Sequence, residues 1–388
     1  MITSLCEFVF FVSGLFLIHT YLIYPVSVYL LGLLLKKKIL HDPDFQPVVS
    51  IVLSAYNEEK VIEKTIRNFL RADYDLSKLQ IVIGSDNSSD KTNEIIESLS
   101  KEITNIDFYP FKERRGKARV INDLVKAAKG EIIIFSDANT MYSPDAIKNI
   151  VKYYSDERVG GVSGRLVLLN KEKAIESGNQ ETKYWEFENW IKENEGKLGC
   201  LIGANGGIYS IRRELFIPLP LTTIADDFII SLRVLEQGKL FVYEKSATAE
   251  EESSDITNEY KRKIRINTMN FYSLQYMKEI LKPKYGLVSY GLWSHKMIRW
   301  FSPVFIVILL ISNFLLSGLN SFYEYFFYIQ LVFYTFSFLG YLLKKIRVHF
   351  ILFALCFYFT YMNLALLIGM IKFLMKKQSS FWQSTERA

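Results

Sequence analysis

Val48-Val49-Ser50-Ile51-Val52-Leu53 runs directly into Ser54-Ala55-Tyr56-Asn57-Glu58-Glu59, and this juncture decides the fold. A short β-branched run with little alternation is what a strand buried on both faces of a parallel sheet requires. Asn57 is placed to cap a helix whose first turn holds Glu58 and Glu59 and whose inner face is Val61, Ile62, Ile66, Phe69 and Leu70. The pattern then recurs. Ile81-Val82-Ile83-Gly84 reads as a second strand, followed by Ser88 or Ser89 as the cap of a helix using Ile95, Ile96 and Leu99. Lys117 to Lys129 reads as a helix, and Glu131-Ile132-Ile133-Ile134-Phe135 as the next strand. Strands alternating with helices predict an α/β domain with a mostly parallel sheet. Ligands of such sheets gather at the carboxyl ends of the strands, where Tyr56-Asn57, Asp86 and Asp137 fall.

Outward from this domain the composition changes. Half of the 388 residues are hydrophobic, too many for a typical soluble enzyme, and they concentrate at the two ends. From about Ser4 to Leu35 only Glu7 is charged, and Lys36-Lys37-Lys38 follows. That is longer than the roughly 20 residues a membrane helix needs. With no basic leader and no small-residue cleavage site it predicts a retained anchor rather than a signal peptide. The lysine triplet predicts a cytoplasmic domain after it. Apolar spans return at Phe301 to about Leu316 and Phe322 to about Leu343, with Lys344, Lys345 and Arg347 marking a cytoplasmic loop. Val348 to about Leu374 is a third stretch, interrupted by Asn363 and Lys372. Three full spans after one anchor would put both termini on the same side, yet Lys376, Lys377 and Arg387 prefer the inside. That stretch therefore stays open between a span and a re-entrant or interfacial segment.

Between domain and spans, Ile264, Phe271, Leu274, Met277 and Leu281 recur at helical spacing with basic residues among them. This fits an interfacial amphipathic helix and, equally for its first half, a helix packed on the catalytic core. The expected organisation is an anchor at 1–38, an α/β domain at 47–257, interfacial helices at 258–296, membrane helices at 297–375 and a tail at 376–388. Cys6, Cys200 and Cys356 are scattered, without disulfide or zinc spacing. The net charge of +6 flanks apolar segments, which points to membrane orientation and phosphate handling, with no nucleic-acid module. His19, His41, His295 and His349 lie near or inside membrane segments, with no sequence partner suggesting a metal site or a Ser/His/Asp arrangement.

The chemistry-bearing residues follow the strands. Asp86 in Ser85-Asp86-Asn87-Ser88-Ser89-Asp90 is placed to accept from a base or ribose, and the same residues suit helix capping. Arg114-Arg115-Gly116-Lys117 sets cations at a helix start, which suits phosphate, although it is no Walker loop. Asp137 and Asn139, one residue apart after a strand, can hold Mg2+ or Mn2+ against a diphosphate, or form a plain turn. Gly203-Ala204-Asn205-Gly206-Gly207 allows close backbone approach to a ligand, as a tight turn also would. Asp226-Asp227 opens an apolar helix-like run, as a cap or as a general base with tuned pKa. Arg262 and Arg265, three apart, share a helix face, where they serve either the membrane surface or a diphosphate.

In this order the motifs resemble the family 2 glycosyltransferases of GT-A (Rossmann-like) fold, the group of cellulose, hyaluronan and poly-N-acetylglucosamine synthases. The resemblance spans about 48–270 and extends weakly to Ser294-His295-Lys296 with Arg299 and to Trp382-Gln383-Ser384-Thr385-Glu386-Arg387. It implies a nucleoside site at Ala55, Tyr56, Glu58 and Asp86, and donor contacts from Lys117, Asp137 and Asn205. It also implies a divalent ion at Asp137 and Asn139, Asp227 as catalytic base with Asp226 beside it, and Arg262 and Arg265 facing the diphosphate. The implied partners are a nucleotide-sugar donor, a UDP-sugar by preference, and a lipid-linked or glycan acceptor at the inner membrane. Asn139 replaces an aspartate of the family pattern. Arg262 and Ile266 replace the Gln and Trp of the processive synthases, which favours single transfer over polymerisation. A processive synthase is the runner-up, and a transporter or scaffold with a degenerate nucleotide-binding domain is the alternative of another class.

Overall fold

The computed structural model describes residues 2–169, 178–221, 223, 225–252, 256–346, 348 and 350–376. Lys377, Arg347, His349 and the tail motif at 382–387 lie outside them. The chain opens with one apolar rod, Ile2–Leu34, made of α1 (Ile2–Ile18), a π turn, and α2 (Tyr24–Leu34).

The α/β domain follows. Its strands are β1 (Val49–Ala55), β2 (Leu79–Asp86), β3 (Ile106–Phe111), β4 (Ile132–Ser136), β5 (Met141–Tyr142), β6 (Val159–Leu169), β7 (Tyr209–Arg212) and β8 (Leu240–Glu252). They form one sheet in the order β3-β2-β1-β4-β7-β6-β8-β5. The half built from the continuous β-branched runs is parallel, with β1 between β2 and β4. The other half departs from the expectation: β7 runs antiparallel to both β4 and β6, and β5 antiparallel to β8. Four pairings are parallel and three antiparallel, so the sheet is mixed.

Helices α3 (Ile62–Phe69), α4 (Thr92–Glu102), α5 (Lys117–Ala127), α6 (Ala146–Val151), α7 (Gly178–Lys197) and α8 (Asp226–Glu236) accompany the strands. The pleat of β1 sends Ile51 and Leu53 to a core shared with Ile62, Ile66 and Phe69 of α3, and Val52 to a second core with Val120, Ile121 and Leu124 of α5. Burial on both faces explains why these strands lack alternation. Gly84 lets α5 approach closely, since a Cβ there would meet Val120 at 2.6 Å.

Two expected caps are not formed. Asn57 takes φ +54° and bonds across to the next loop: its N–H donates to Ser88 Oγ (3.1 Å), and its Oδ1 accepts from Ser89 N–H (2.8 Å). Helix α3 starts only at Ile62, beyond Glu58 and Glu59. At α4 it is Asp90 Oδ1 that accepts from Thr92 N–H (3.0 Å), while Ser88 and Ser89 are spent on Asn57. The side chains of the two strand-end loops prefer each other to the helix termini.

After the domain come α9 (Ile256–Ser273), α10 (Leu287–Gly291), α11 (Ile298–Leu316), α12 (Ser321–Lys345) and α13 (Ile351–Leu374). Helices α10 and α11 join through a π turn into one rod, Leu287–Leu316. Among the described residues, four helices are long and apolar enough to cross a membrane: Ile2–Leu34, Leu287–Leu316, Ser321–Lys345 and Ile351–Leu374. The last stretch, left open by its terminal charges, forms one continuous helix of spanning length. Helix α9 lies along α13: a Cβ on Gly369 would meet Ile264 O at 2.9 Å, Asn267 Nδ2 donates to Leu366 O (2.6 Å) and Thr268 Oγ1 to Gly369 O (3.0 Å).

Candidate active site

In the parallel half of the sheet the register sets Ala55 beside Ser85 and Leu53 beside Ser136, so β1, β2 and β4 end on one edge. Ala55, Asp86 and Asp137 meet there because these strands stop together. Ala55 is buried. The Tyr56 ring lies under the Arg114 guanidinium at 3.4 Å, and Arg114 Nε stands 3.6 Å from Asp86 Oδ2. Asp86 is buried, and both its oxygens are engaged: Oδ1 accepts from Arg115 N–H (2.6 Å) and Oδ2 from Gly116 N–H (3.0 Å). Here it organises the loop before α5. Glu58 is buried and its N–H donates to Thr92 Oγ1 (2.8 Å).

The centre is a chain of charges. Lys117, first residue of α5, sets its ammonium 2.9 Å from Asp137 Oδ1 and 3.1 Å from Asp226 Oδ1. Burial alone would lower its pKa, and the two carboxylates raise it instead. Asp226 is buried, with Tyr209 OH donating at 3.5 Å. Burial lifts its pKa, against the pull of Lys117. Asp227 keeps some exposure. Burial first, then the Asp226 charge, push its carboxyl up to about 6, with Lys117 and Lys192 pulling back. A carboxylate with an upshifted pKa and one face open is a candidate proton acceptor.

Gly206 faces this pair. A Cβ there would lie 3.4 Å from Asp227 Oδ2 and 3.7 Å from Asp137 Oδ2, so the glycine leaves space between the two carboxylates. Asn139 donates its Nδ2 to Glu251 Oε1 (2.7 Å), which leaves its amide oxygen for another partner. Asn205 is placed differently from the sequence reading. It is buried, its Nδ2 donates to Gly164 O (2.7 Å), and its Oδ1 accepts from Lys192 Nζ (2.6 Å). Both ends of the amide are bonded inside the protein, so it shapes the loop.

Helix α9 brings its arginines to the same side. Arg262 pairs with the buried Glu259 (2.8 Å) and faces the Trp185 ring at 5.8 Å. Burial and then Arg262 lower the Arg265 pKa, and the Asp137 charge opposes them.

Sequence reasoning missed Lys192 and the partners of His295. Glu188, Lys192 and Glu195 lie four and three apart, on one face of α7, and all are buried, while Phe187 and Trp190 point out. His295, fully buried, has Nδ1 2.6 Å from Glu195 Oε1 and Nε2 3.0 Å from Glu188 Oε1. A charged face opposite an aromatic one, read with membrane helices nearby, was the available signal.

The family model "Glycosyl transferase family 2" matches residues 50–217. The chain is similar to a beta-monoglucosyldiacylglycerol synthase of Trichormus variabilis, 28% identical over 193 residues, covering 48% of this chain and 41% of that protein. It is similar also to a poly-beta-1,6-N-acetyl-D-glucosamine synthase of Staphylococcus aureus, 28% identical over 203 residues, 51% of this chain and 48% of that protein. The matches thus span less than half the length of either relative. Among solved structures, the mannosyltransferase PcManGT from Pyrobaculum calidifontis, in complex with GDP-Man and Mn2+, superposes with a TM-score of 0.72 at 19% identity, covering 95% of this chain and all of that one. The domain has the GT-A glycosyltransferase fold. Residues 50–217 thus resemble the family 2 glycosyltransferases, and the chain is similar to proteins of that kind.

Proposed function

We propose that the protein is a membrane-bound inverting glycosyltransferase, moving a sugar from a nucleotide-diphosphate donor to a lipid-linked or polysaccharide acceptor at the cytoplasmic face of the inner membrane. The observation that carries this is the split within Asp226-Asp227. One carboxylate is buried against Lys117, and the other is raised to about 6 and open beside Gly206. Asp227 takes the proton of the acceptor hydroxyl as its oxygen attacks the anomeric carbon. The bond from that carbon to the diphosphate oxygen breaks on the opposite face, and the nucleoside diphosphate leaves with the electron pair. Arg262 and Arg265 meet the charge that develops on it.

The oxygen donors fit a hard divalent ion that arrives with substrate. Asp137 Oδ2 borders the space at Gly206, while among the described residues no three His, Cys, Asp or Glu side chains could hold an ion by themselves. Asp137 and the amide oxygen of Asn139 would hold Mg2+ or Mn2+, which when bound neutralises diphosphate charge. The mannosyltransferase of the same fold was solved with GDP-Man and Mn2+, and a UDP-sugar is the first donor to test here.

The test is donor hydrolysis and transfer by the purified full chain in lipid nanodiscs, with a panel of UDP- and GDP-sugars and Mn2+ or Mg2+. Asp227→Asn is expected to keep nucleotide affinity and lose turnover. Normal turnover in that variant removes Asp227 as the base. Product length decides the runner-up: a ladder of added sugars is the signature of a processive synthase, one sugar that of single transfer.

A further inference from the structure

Helix α7 buries three charged residues on the face it turns to the protein. Its aromatic residues Phe187 and Trp190 are more than a third exposed, and Trp190 stacks on Tyr29 of α2 at 5.6 Å. Its charged residues Glu188, Lys192 and Glu195 are each over nine-tenths buried. Buried ionisable groups are costly unless paired, so their partners show what the burial serves.

Glu188 is held by the helix rod 287–316: Lys296 Nζ at 2.7 Å, His295 Nε2 at 3.0 Å and Arg299 Nη1 at 2.8 Å. Burial works against its charge, yet these three groups hold its carboxyl well below the usual range. Glu195 Oε1 accepts from Tyr24 OH of α2 (2.6 Å) and meets His295 Nδ1, while its Oε2 accepts from Ile202 N–H (2.9 Å). Both carboxylates therefore tie membrane helices to α7, and Glu195 also ties α7 to the segment leading into the 203–207 loop.

Lys192 lies between them and bonds to the 203–207 loop. Its Nζ donates to Asn205 Oδ1 at 2.6 Å and stands 3.4 Å from Ala204 O. Asn205 is fixed on its remaining sides by Ser163 Oγ (3.0 Å) and Gly164 O (2.7 Å), and the next residue is Gly206, which faces Asp227. We propose that Lys192 is a positioning residue of the transfer reaction, fixing the 203–207 loop through Asn205 and supplying the buried positive charge that faces Asp227. The carboxylate–histidine clasp of the membrane helices holds it there. This rests on the functional reading above.

The electrostatics support it. Burial, then Lys296, bring the Lys192 pKa down to about 8, against Glu188, Asp227 and Glu195, so the group is an ammonium at neutral pH. Asp227 is faced by Asp226 on its own helix, Lys117 from α5, Lys192 from α7 and Tyr209 from β7. Lys117 is shared by Asp137 and Asp226, and Lys192 adds a second positive charge facing Asp227.

The experiment uses the full chain in nanodiscs with the sugar nucleotide that the wild type turns over. Lys192→Gln keeps a hydrogen-bond donor for Asn205 and removes the charge, and Lys192→Arg keeps the charge. Lys192→Gln is expected to lose about tenfold or more in kcat with nucleotide affinity unchanged, and its acidic kcat limb should move to higher pH. Lys192→Arg should restore the limb. A kcat within twofold of wild type, or a loss with an unmoved limb, overturns the proposal in favour of a purely structural lysine. The wild type gives a second measurement independent of either variant folding: kcat should fall above about pH 8, and a profile flat to pH 9.5 also overturns it. Failure of the functional reading looks different, since wild type and Asp227→Asn would then be equally inert with every donor.

Discussion

The Lys117 ammonium and the Asp226 carboxylate lie 3.1 Å apart in the base of the site, and this pairing gives two adjacent aspartates different lives. Asp226 is committed to the fold, with Lys117 on one oxygen and Tyr209 on the other. Asp227 is left with a raised pKa and an open face. Replacing Lys117 by Met strands Asp137 and Asp226 together without a counter-charge. The expected cost is about 1–3 kcal/mol, below the full range for a broken buried pair because the lysine retains some solvent. Thermal unfolding of the variant against wild type checks it, and an unchanged midpoint would show that the pair contributes nothing to stability.

The pH dependence follows from Asp227. Its carboxyl sits at about 6 in the folded chain against 3.8 as an ordinary side chain. As a base it must be ionised, so kcat/KM should rise through about pH 6 to a plateau that ends near pH 8, where Lys192 loses its proton. The stability effect has the opposite sense. A raised carboxyl binds its proton more tightly in the folded state, so ionising it costs stability in full above about pH 6, and that cost fades as pH falls toward 4. Asp227→Asn should therefore unfold at a higher temperature than wild type at pH 7.5, with the gain shrinking toward pH 4. An equal or lower midpoint at pH 7.5 would contradict the raised pKa.

Much of this was legible because burial on both faces leaves a strong mark. β1, β2 and β4 are near-continuous β-branched runs, and parallel strands ending together bring Asp86 and Asp137 to one edge. The antiparallel β7 was not legible, since Tyr209–Arg212 is four residues long and carries no periodicity. Nor was the fate of Asn57, which local capping rules assign to its own helix although its partners Ser88 and Ser89 lie more than 30 residues on. His295 shows the limit most clearly. Its two carboxylates are 100 and 107 residues away, a separation at which only the folded chain can pair them.

The metal reading has its own test. Asp137 lends one oxygen to Lys117 and the other borders Gly206. Asp137→Ala is expected to abolish the Mn2+-dependent part of sugar-nucleotide binding, measured by calorimetric titration with and without the ion. Identical titrations for variant and wild type would mark Asp137 as a purely structural turn residue.

Gly206 should be intolerant for reasons of room alone. Its backbone is not in the left-handed region, so a side chain brings no conformational strain. A Cβ would stand at ordinary contact distance from Asp227 Oδ2 and Asp137 Oδ2, filling the space between them. Gly206→Ala should therefore leave the unfolding midpoint nearly unchanged while transfer falls by about a hundredfold, the scale associated with displacing reactants by an ångström. Wild-type turnover in this variant would place the reacting atoms elsewhere.

The membrane part also holds the arginines. Helix α9 carries Arg262 and Arg265 and is fastened to α13 by Thr268 and Asn267 hydrogen bonds around Gly369. A Cβ on Gly369 would come within 2.9 Å of Ile264 O and 3.0 Å of Asn267 Cβ, so the backbones approach only because that side chain is missing. Gly369→Val must push α9 off α13 and shift both arginines relative to Asp137. Transfer should drop by about tenfold or more, with donor KM rising, because the groups that meet the diphosphate are displaced while Asp227 stays in place. Gly369→Ala, needing a smaller shift, should fall between the two. Kinetics of the three proteins in the same nanodiscs decide it, and equal kcat/KM across the series would show that the arginines are positioned independently of the last membrane helix.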